Sequence, residues 1–138
     1  MSQVILGGLE IVTIPSLGIE TLAKVDTGAF SGALHCTNIH VHDGLLSFWP
    51  LGDQDRKVTT DIFTTTTVVS ASGHASQRYL IPLTITIQGC DYDIVIGLSD
   101  RANLTREMLL GRRFLIENNV LVDVSRTKDI DDEAEANL

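Results

Sequence analysis

The residues best suited to chemistry lie in A-K-V-D-T-G-A-F-S-G-A-L-H-C, positions 23 to 36. Asp26 ends an apolar run and is followed by Thr27, Gly28 and Ala29. One reading is an ordinary turn, because Asp hydrogen-bonds its own backbone and Gly accepts unusual φ values. The other is half of a catalytic pair. A carboxylate that works on water needs a rigid loop at a strand end. The Thr27 hydroxyl can fix such a loop, and Gly28 lets the backbone approach and donate an N–H to the acid. Two carboxylates a few ångströms apart share one proton, so one can activate water while the other polarises a carbonyl.

Other polar side chains have competing readings. His40 and His42 stand at i, i+2 on a strand and so on one face, a spacing that can ligate zinc. No H-E-x-x-H accompanies them, and Ile39 and Val41 take the opposite face, so a solvated polar face is the favoured reading and no metal is expected. His74, with Ser72, Gly73 and Arg78, occupies S-A-S-G-H-A-S-Q-R, where these residues either meet substrate or line a solvated hairpin tip. Lys24, Arg101 and Arg112 could each pair an acidic substrate group or form a structural ion pair. Cys36 and Cys90 lack C-x-x-C spacing and read as reduced core thiols.

The elements that must position these groups are mostly strands. Thr, Val and Ile abound, and turn signals recur about every ten residues. Strands are expected over 9–15, 20–26, 33–41 and 45–50, the last two joined by the hairpin signal Asp43-Gly44. Two long strands, 58–71 and 78–87, flank the small polar tip to form a projecting hairpin. Another strand follows at 92–98. M-L-L-G reads as a short buried strand, R-R-F-L-I-E-N as a helix of two turns, and 120–124 as the closing strand.

With 138 residues, 43% of them apolar, the chain can bury one core, placed here in residues 1–126. Eighteen acidic against ten basic residues leave a net charge of -8, which argues against nucleic acid. Residues 127–138 supply half of that charge, with five acids against Lys128, and read as a solvated acidic tail. No apolar run approaches the ~20 residues needed to span a bilayer, and the first ten residues do not resemble a signal peptide, so no membrane contact and a cytoplasmic address are expected.

D-T-G-A after an apolar strand is the active-site turn of aspartic proteases, and L-L-G-R at 109–112 stands 83 positions past Asp26. In pepsin-like halves such an apolar pair followed by Gly lies beneath that turn. V-D-T-G-A with S-G-A-L-H, S-A-S-G-H with Arg78 after it, M-L-L-G-R-R-F-L and V-L-V-D together resemble the bacterial family named for ATP-dependent zinc proteases, itself similar to the retropepsins. The resemblance covers residues 9–125. It implies a mostly β, closed retropepsin-like barrel, a single lobe with one short C-terminal helix. It further implies Asp26, Thr27 and Gly28 as catalytic turn, with Ala29, Ser72, Gly73, His74, Arg78 and Arg112 about the substrate. His35, Leu109, Leu110 and Gly111 would support the site; for His35 a catalytic or ligand role is the alternative.

One lobe supplies one aspartate, so the pepsin-like mechanism implies a homodimer acting on a peptide or isopeptide bond of a peptide or protein substrate. The S-A-S-G-H hairpin would close over that substrate. No cofactor is expected, and no P-loop G-x-x-x-x-G-K-[ST] is present, so any ATP dependence would come from a partner. A non-catalytic peptide-binding module and a zinc-dependent peptidase are the alternatives. The chain departs from the family after D-T-G-A, where Arg-Thr-Ser is usual and Phe30, Ser31 and Gly32 stand here.

Overall fold

Strict alternation builds the strand that carries the site. In β3 (Ile19–Val25) Ile19, Thr21, Ala23 and Val25 are buried, while Glu20 and Lys24 face solvent. The computed structural model describes residues 3–103 and 105–127. Within them the other strands are β1 (Val4–Leu6), β2 (Leu9–Ile14), β4 (Gly32–His42), β5 (Leu45–Pro50), β6 (Val58–Thr60), β7 (Thr64–Val69), β8 (Ala75–Ile87), β9 (Cys90–Ser99), β10 (Met108–Leu110) and β11 (Val120–Val122). The helix α1 spans Arg112–Glu117.

The sheet runs β10-β3-β2-β8-β9-β4, and β10 also pairs with β4, so six strands close on themselves into a barrel. This is the mostly β, closed barrel with one short helix that the sequence implies. Val12, Ile14, Leu34, Phe48, Ile85 and Ile96 are fully buried in its core. Each such side chain contributes about 1.5–3 kcal/mol through loss of apolar contact with water. Phe114 and Leu115 turn α1 inward, and Phe114 meets Tyr92 edge to face with ring centroids 5.5 Å apart.

The barrel closes through β10, which lies parallel to β3 (Leu110 opposite Val25) and antiparallel to β4 (Leu109 opposite Ala33). The chain between β3 and β4 must therefore pass over β10, and there is no room for side chains at the crossing. A methyl group on Gly111 would lie 2.5 Å from the Phe30 carbonyl oxygen, and one on Gly32 2.8 Å from that of Leu109. Both obstacles are backbone, which cannot rotate away.

The strand expected over 58–71 is in fact two. β6 pairs with β5 and β7 with β8, and residues 61–63 between them leave the ladder, with the Ile62 N–H donating to Thr60 Oγ1 at 3.1 Å. Threonine suits strands but also makes this local turn, which a count of β-branched residues does not register. The hairpin arm β8 starts at Ala75, three residues before the expected start. β1 pairs in parallel with β11, Ile5 opposite Leu121, an element absent from the sequence expectation. The acidic tail lies outside the described residues from 128 onward.

The Asp43-Gly44 turn forms as its sequence predicts, with φ of 52° and 76°. No helix among the described residues is long and apolar enough to cross a membrane.

Gly111→Ala is expected to destabilise the fold by at least about 2 kcal/mol in urea unfolding, because the added carbon must displace backbone. Gly44→Ala, at an open turn with nothing within 4 Å, should cost only the strain of its positive φ. Equal losses for the two would remove the crossing as the tight point.

Candidate active site

Asp26 follows β3 directly, and its N–H donates to the Leu110 carbonyl at 2.8 Å, extending the pairing with β10 by one residue. Gly28 N–H donates to Asp26 Oδ1 at 2.9 Å. This bond fixes the carboxylate of a half-buried residue. The first turn of α1 holds the far side of the loop: Arg112 N–H donates to Ala29 O at 2.7 Å and Arg113 N–H to Phe30 O at 3.0 Å. The Arg112 guanidinium reaches Gly28 O at 3.3 Å and lies 5.9 Å from the centre of the Phe30 ring, a cation–π contact. Phe30, 53% exposed, therefore serves as a platform for Arg112.

The structure thus brings Asp26, Thr27, Gly28, Ala29, Leu109, Leu110, Gly111 and Arg112 to one junction. Thr27 is exposed, and its hydroxyl makes no hydrogen bond among the described residues. Arg112 acts here on the loop itself, not on the Asp26 carboxylate.

The hairpin tip is a separate unit. Ser70 N–H donates to His74 O, Gly73 N–H to Ser70 O, and the Ser70 and Ser72 hydroxyls share a 2.9 Å bond. Among the described residues every hydrogen bond of Ser72, Gly73 and His74 stays within the hairpin, so none ties them to Asp26.

His35 is buried on β4, opposite Ser99 of β9. Its Nδ1 accepts the Arg101 N–H at 2.8 Å, so in the neutral ring the proton sits on Nε2. Its Nδ1 is also 3.8 Å from Asp100 Oδ1. His35 thus holds the segment after β9, and with it Arg101, whose Nε donates to Arg106 O at 3.1 Å. Sequence spacing could not reveal this link, because 66 residues separate the two partners. Burial and the nearby Arg78 guanidinium both lower the Arg101 pKa below the usual guanidinium value, and Asp26 acts in the opposite sense. Arg101 therefore lies within electrostatic reach of both Arg78 and Asp26.

The remaining candidates stand elsewhere. His40 Nδ1 lies 3.0 Å from Asn38 O and His42 Nε2 3.3 Å from Asp43, both in solvent. Among the described residues no three His, Cys, Asp or Glu side chains cluster so as to hold a metal ion, so the donor set does not fit zinc. Cys36 is buried, and burial pushes its thiol up to about 12 despite a backbone hydrogen bond from Leu51. Cys90 is exposed at the start of β9, contrary to the expectation of two core thiols, because it directly follows the Gln88-Gly89 turn.

A closed β-barrel whose Asp-Thr-Gly turn crosses over a Leu-Leu-Gly strand defines a retropepsin-like protein. The sequence profile of the RimB-like family, described as retropepsin-like aspartic endopeptidase RimB, matches residues 5–133, and the chain belongs to that family. Nothing in this match carries the zinc or ATP of the resemblance drawn from sequence.

A relative from Shewanella pealeana, named "Probable alpha-L-glutamate ligase", is 27% identical over 137 residues, which cover 91% of this chain and 30% of that protein. One of the same name from Parasynechococcus marenigrum is 28% identical over 141 residues, covering 94% and 30%. The chain thus spans less than a third of the length of these relatives. A crystal structure of the protein Lpg0085 from Legionella pneumophila has a TM-score of 0.70 and 26% identity, covering 90% of this chain and 95% of that one.

His35→Leu is expected to lower stability by about 1–3 kcal/mol, since the Arg101 N–H loses its acceptor. His35→Asn, whose amide oxygen falls near the place of Nδ1, should recover part of that loss in thermal unfolding. Equal loss in both would mean that ring packing, not the hydrogen bond, is what His35 supplies.

Proposed function

We propose that this chain is the peptidase domain of a retropepsin-like aspartic endopeptidase that acts as a homodimer on a peptide or isopeptide bond. The observation that carries this reading is the Asp26 turn: a half-buried carboxylate held by the Gly28 N–H, on a loop tied to β10 and α1. One barrel offers one such acid, so the second comes from a twofold copy. Beside the turn lies a shallow groove lined by Thr27, Arg112, Leu115, Ile116, Asn119 and Val120, with Ile116 70% exposed. An apolar surface bordering the site, with a free Thr27 hydroxyl at its edge, suits an isologous contact that brings the two turns together.

Between the paired carboxylates one water would be held. The ionised acid takes its proton as the oxygen attacks the carbonyl carbon, while the protonated acid donates to the carbonyl oxygen. Collapse of the resulting gem-diol breaks the C–N bond and returns a proton to the leaving nitrogen. No covalent bond to the enzyme forms at any stage. The β7–β8 hairpin, joined to the barrel through β8, is the element placed to cover bound substrate and exclude water.

The substrate we assign is a peptide rich in glutamate. Its support is the recurrence of this domain in relatives named as probable alpha-L-glutamate ligases. A bond made by such a ligase leaves chains bearing side-chain carboxylates, which a peptidase of the same family would meet.

Asp26→Asn is expected to reduce turnover of a glutamate peptide by at least about a hundredfold while leaving the fold intact. Ile116→Asp should convert the dimer to monomer by light scattering and remove activity with it. Turnover that survives Asp26→Asn would defeat the dyad, and a fully active Ile116→Asp monomer would defeat the dimer.

A further inference from the structure

Arg78 lies over β9 at Gly97, and Arg101 follows the end of the same strand. Among the described residues neither Arg78 nor Arg101 makes an ion pair, while Arg56, Arg113 and Arg126 each hold an acid. Both are half-buried. Two like charges within reach of each other, partly out of water, oppose folding unless something offsets them.

The pair is also built. The stem of Arg78 crosses β9 at Gly97, where a methyl group would lie 2.7 Å from its Cδ and 3.3 Å from its Cγ. Gly97 is buried opposite Leu80 on one neighbouring strand and Ala33 on the other, positions at which any larger residue would lift the arginine off the sheet. Arg101 is held from the other direction. Its N–H is bound by the buried His35 and its Nε by the Arg106 carbonyl, and among the described residues the two terminal nitrogens of the guanidinium have no acceptor. Two hydrogen bonds hold Arg101, and the Arg78 stem lies on Gly97, before any ligand arrives, which lowers the entropy lost on binding.

Free guanidinium nitrogens held in a fixed fork match a carboxylate, whose two oxygens accept parallel N–H bonds. Asp26 lies close enough to Arg101 to interact electrostatically, yet among the described residues no ion pair joins them, and Asp26 Oδ1 accepts the Gly28 N–H. We infer that Arg78 and Arg101 form a clamp that reads a carboxylate on the substrate side chain next to the scissile bond, and so set the specificity of this site. The clamp rests on the peptidase reading for its place beside a scissile bond, but its binding chemistry can be measured without turnover.

Binding is therefore measured in the Asp26→Asn chain, with fluorescein-labelled hexa-α-L-glutamate and hexa-L-glutamine as probes in an anisotropy titration. The clamp predicts that the glutamate peptide binds at least about tenfold more tightly, in a salt-dependent way. Adding Arg78→Gln or Arg101→Gln should each remove about tenfold of that preference and leave the glutamine peptide unchanged. Arg101→Lys should recover only part of it, since an ammonium lacks the fork. Lys57→Gln, an equal charge change on the exposed loop after β5, should have no effect. Should Arg78→Gln fail to fold, Arg78→Lys keeps the stem over Gly97 and still tests the fork.

Equal affinity for the two peptides, or losses that fall alike on both, would overturn the clamp. The same holds if Lys57→Gln matches the arginine variants, which would leave only net charge. If the wild-type chain cleaves peptides but the glutamate preference is absent, the clamp fails and the peptidase reading stands. If the preference is present and depends on both arginines but no peptide is cleaved, the clamp stands and the peptidase reading fails.

Discussion

The hydrogen bond from Asp26 N–H to the Leu110 carbonyl, 2.8 Å long, is the constraint on which the rest of the structure depends. It forms because β10 is wedged between β3 and β4, parallel to one and antiparallel to the other. That wedge closes the barrel and also carries the loop holding Asp26. Stability and site geometry therefore share a single joint. Gly32 and Gly111 are the condition for it, since both pass within van der Waals range of backbone atoms. Replacing either would change the carboxylate's position along with the fold's free energy, and any loss of activity would need to be separated from loss of structure.

Around that joint the chain adds polar support in layers. The Gly28 N–H sets the rotation of the carboxylate, α1 clamps the outer edge of the loop through the Ala29 and Phe30 carbonyls, and Arg112 spans the gap from α1 to Gly28. Phe30 receives the Arg112 guanidinium on its ring face. In the clamp we infer, Arg78 and Arg101 supply positive potential within a chain whose net charge is -8.

Much of this was legible in the sequence, for a physical reason. The Asp26 turn, the Leu-Leu-Gly strand and the Asp43-Gly44 hairpin are local motifs, in which neighbouring residues fix backbone conformation, and alternation in β3 follows from one buried face. What escaped was non-local or a contest between local forces. Thr60 ends β6 by bonding to Ile62, although threonine alone argues for a continuing strand. The pairing of Val4 with Val120, and of His35 with Arg101, joins segments that no spacing rule connects. Gly97 reads as an ordinary strand glycine until the stem of Arg78 is seen lying across it.

The central claim is that two copies of this chain form one catalytic centre. A crystal structure of the dimer measures it directly, as the distance between the two Asp26 carboxylates. The account predicts a twofold axis at the turns and carboxylate oxygens about 3 Å apart, close enough to share one proton. Asp26 residues far apart, in a monomer or in a dimer formed through another face, would contradict it.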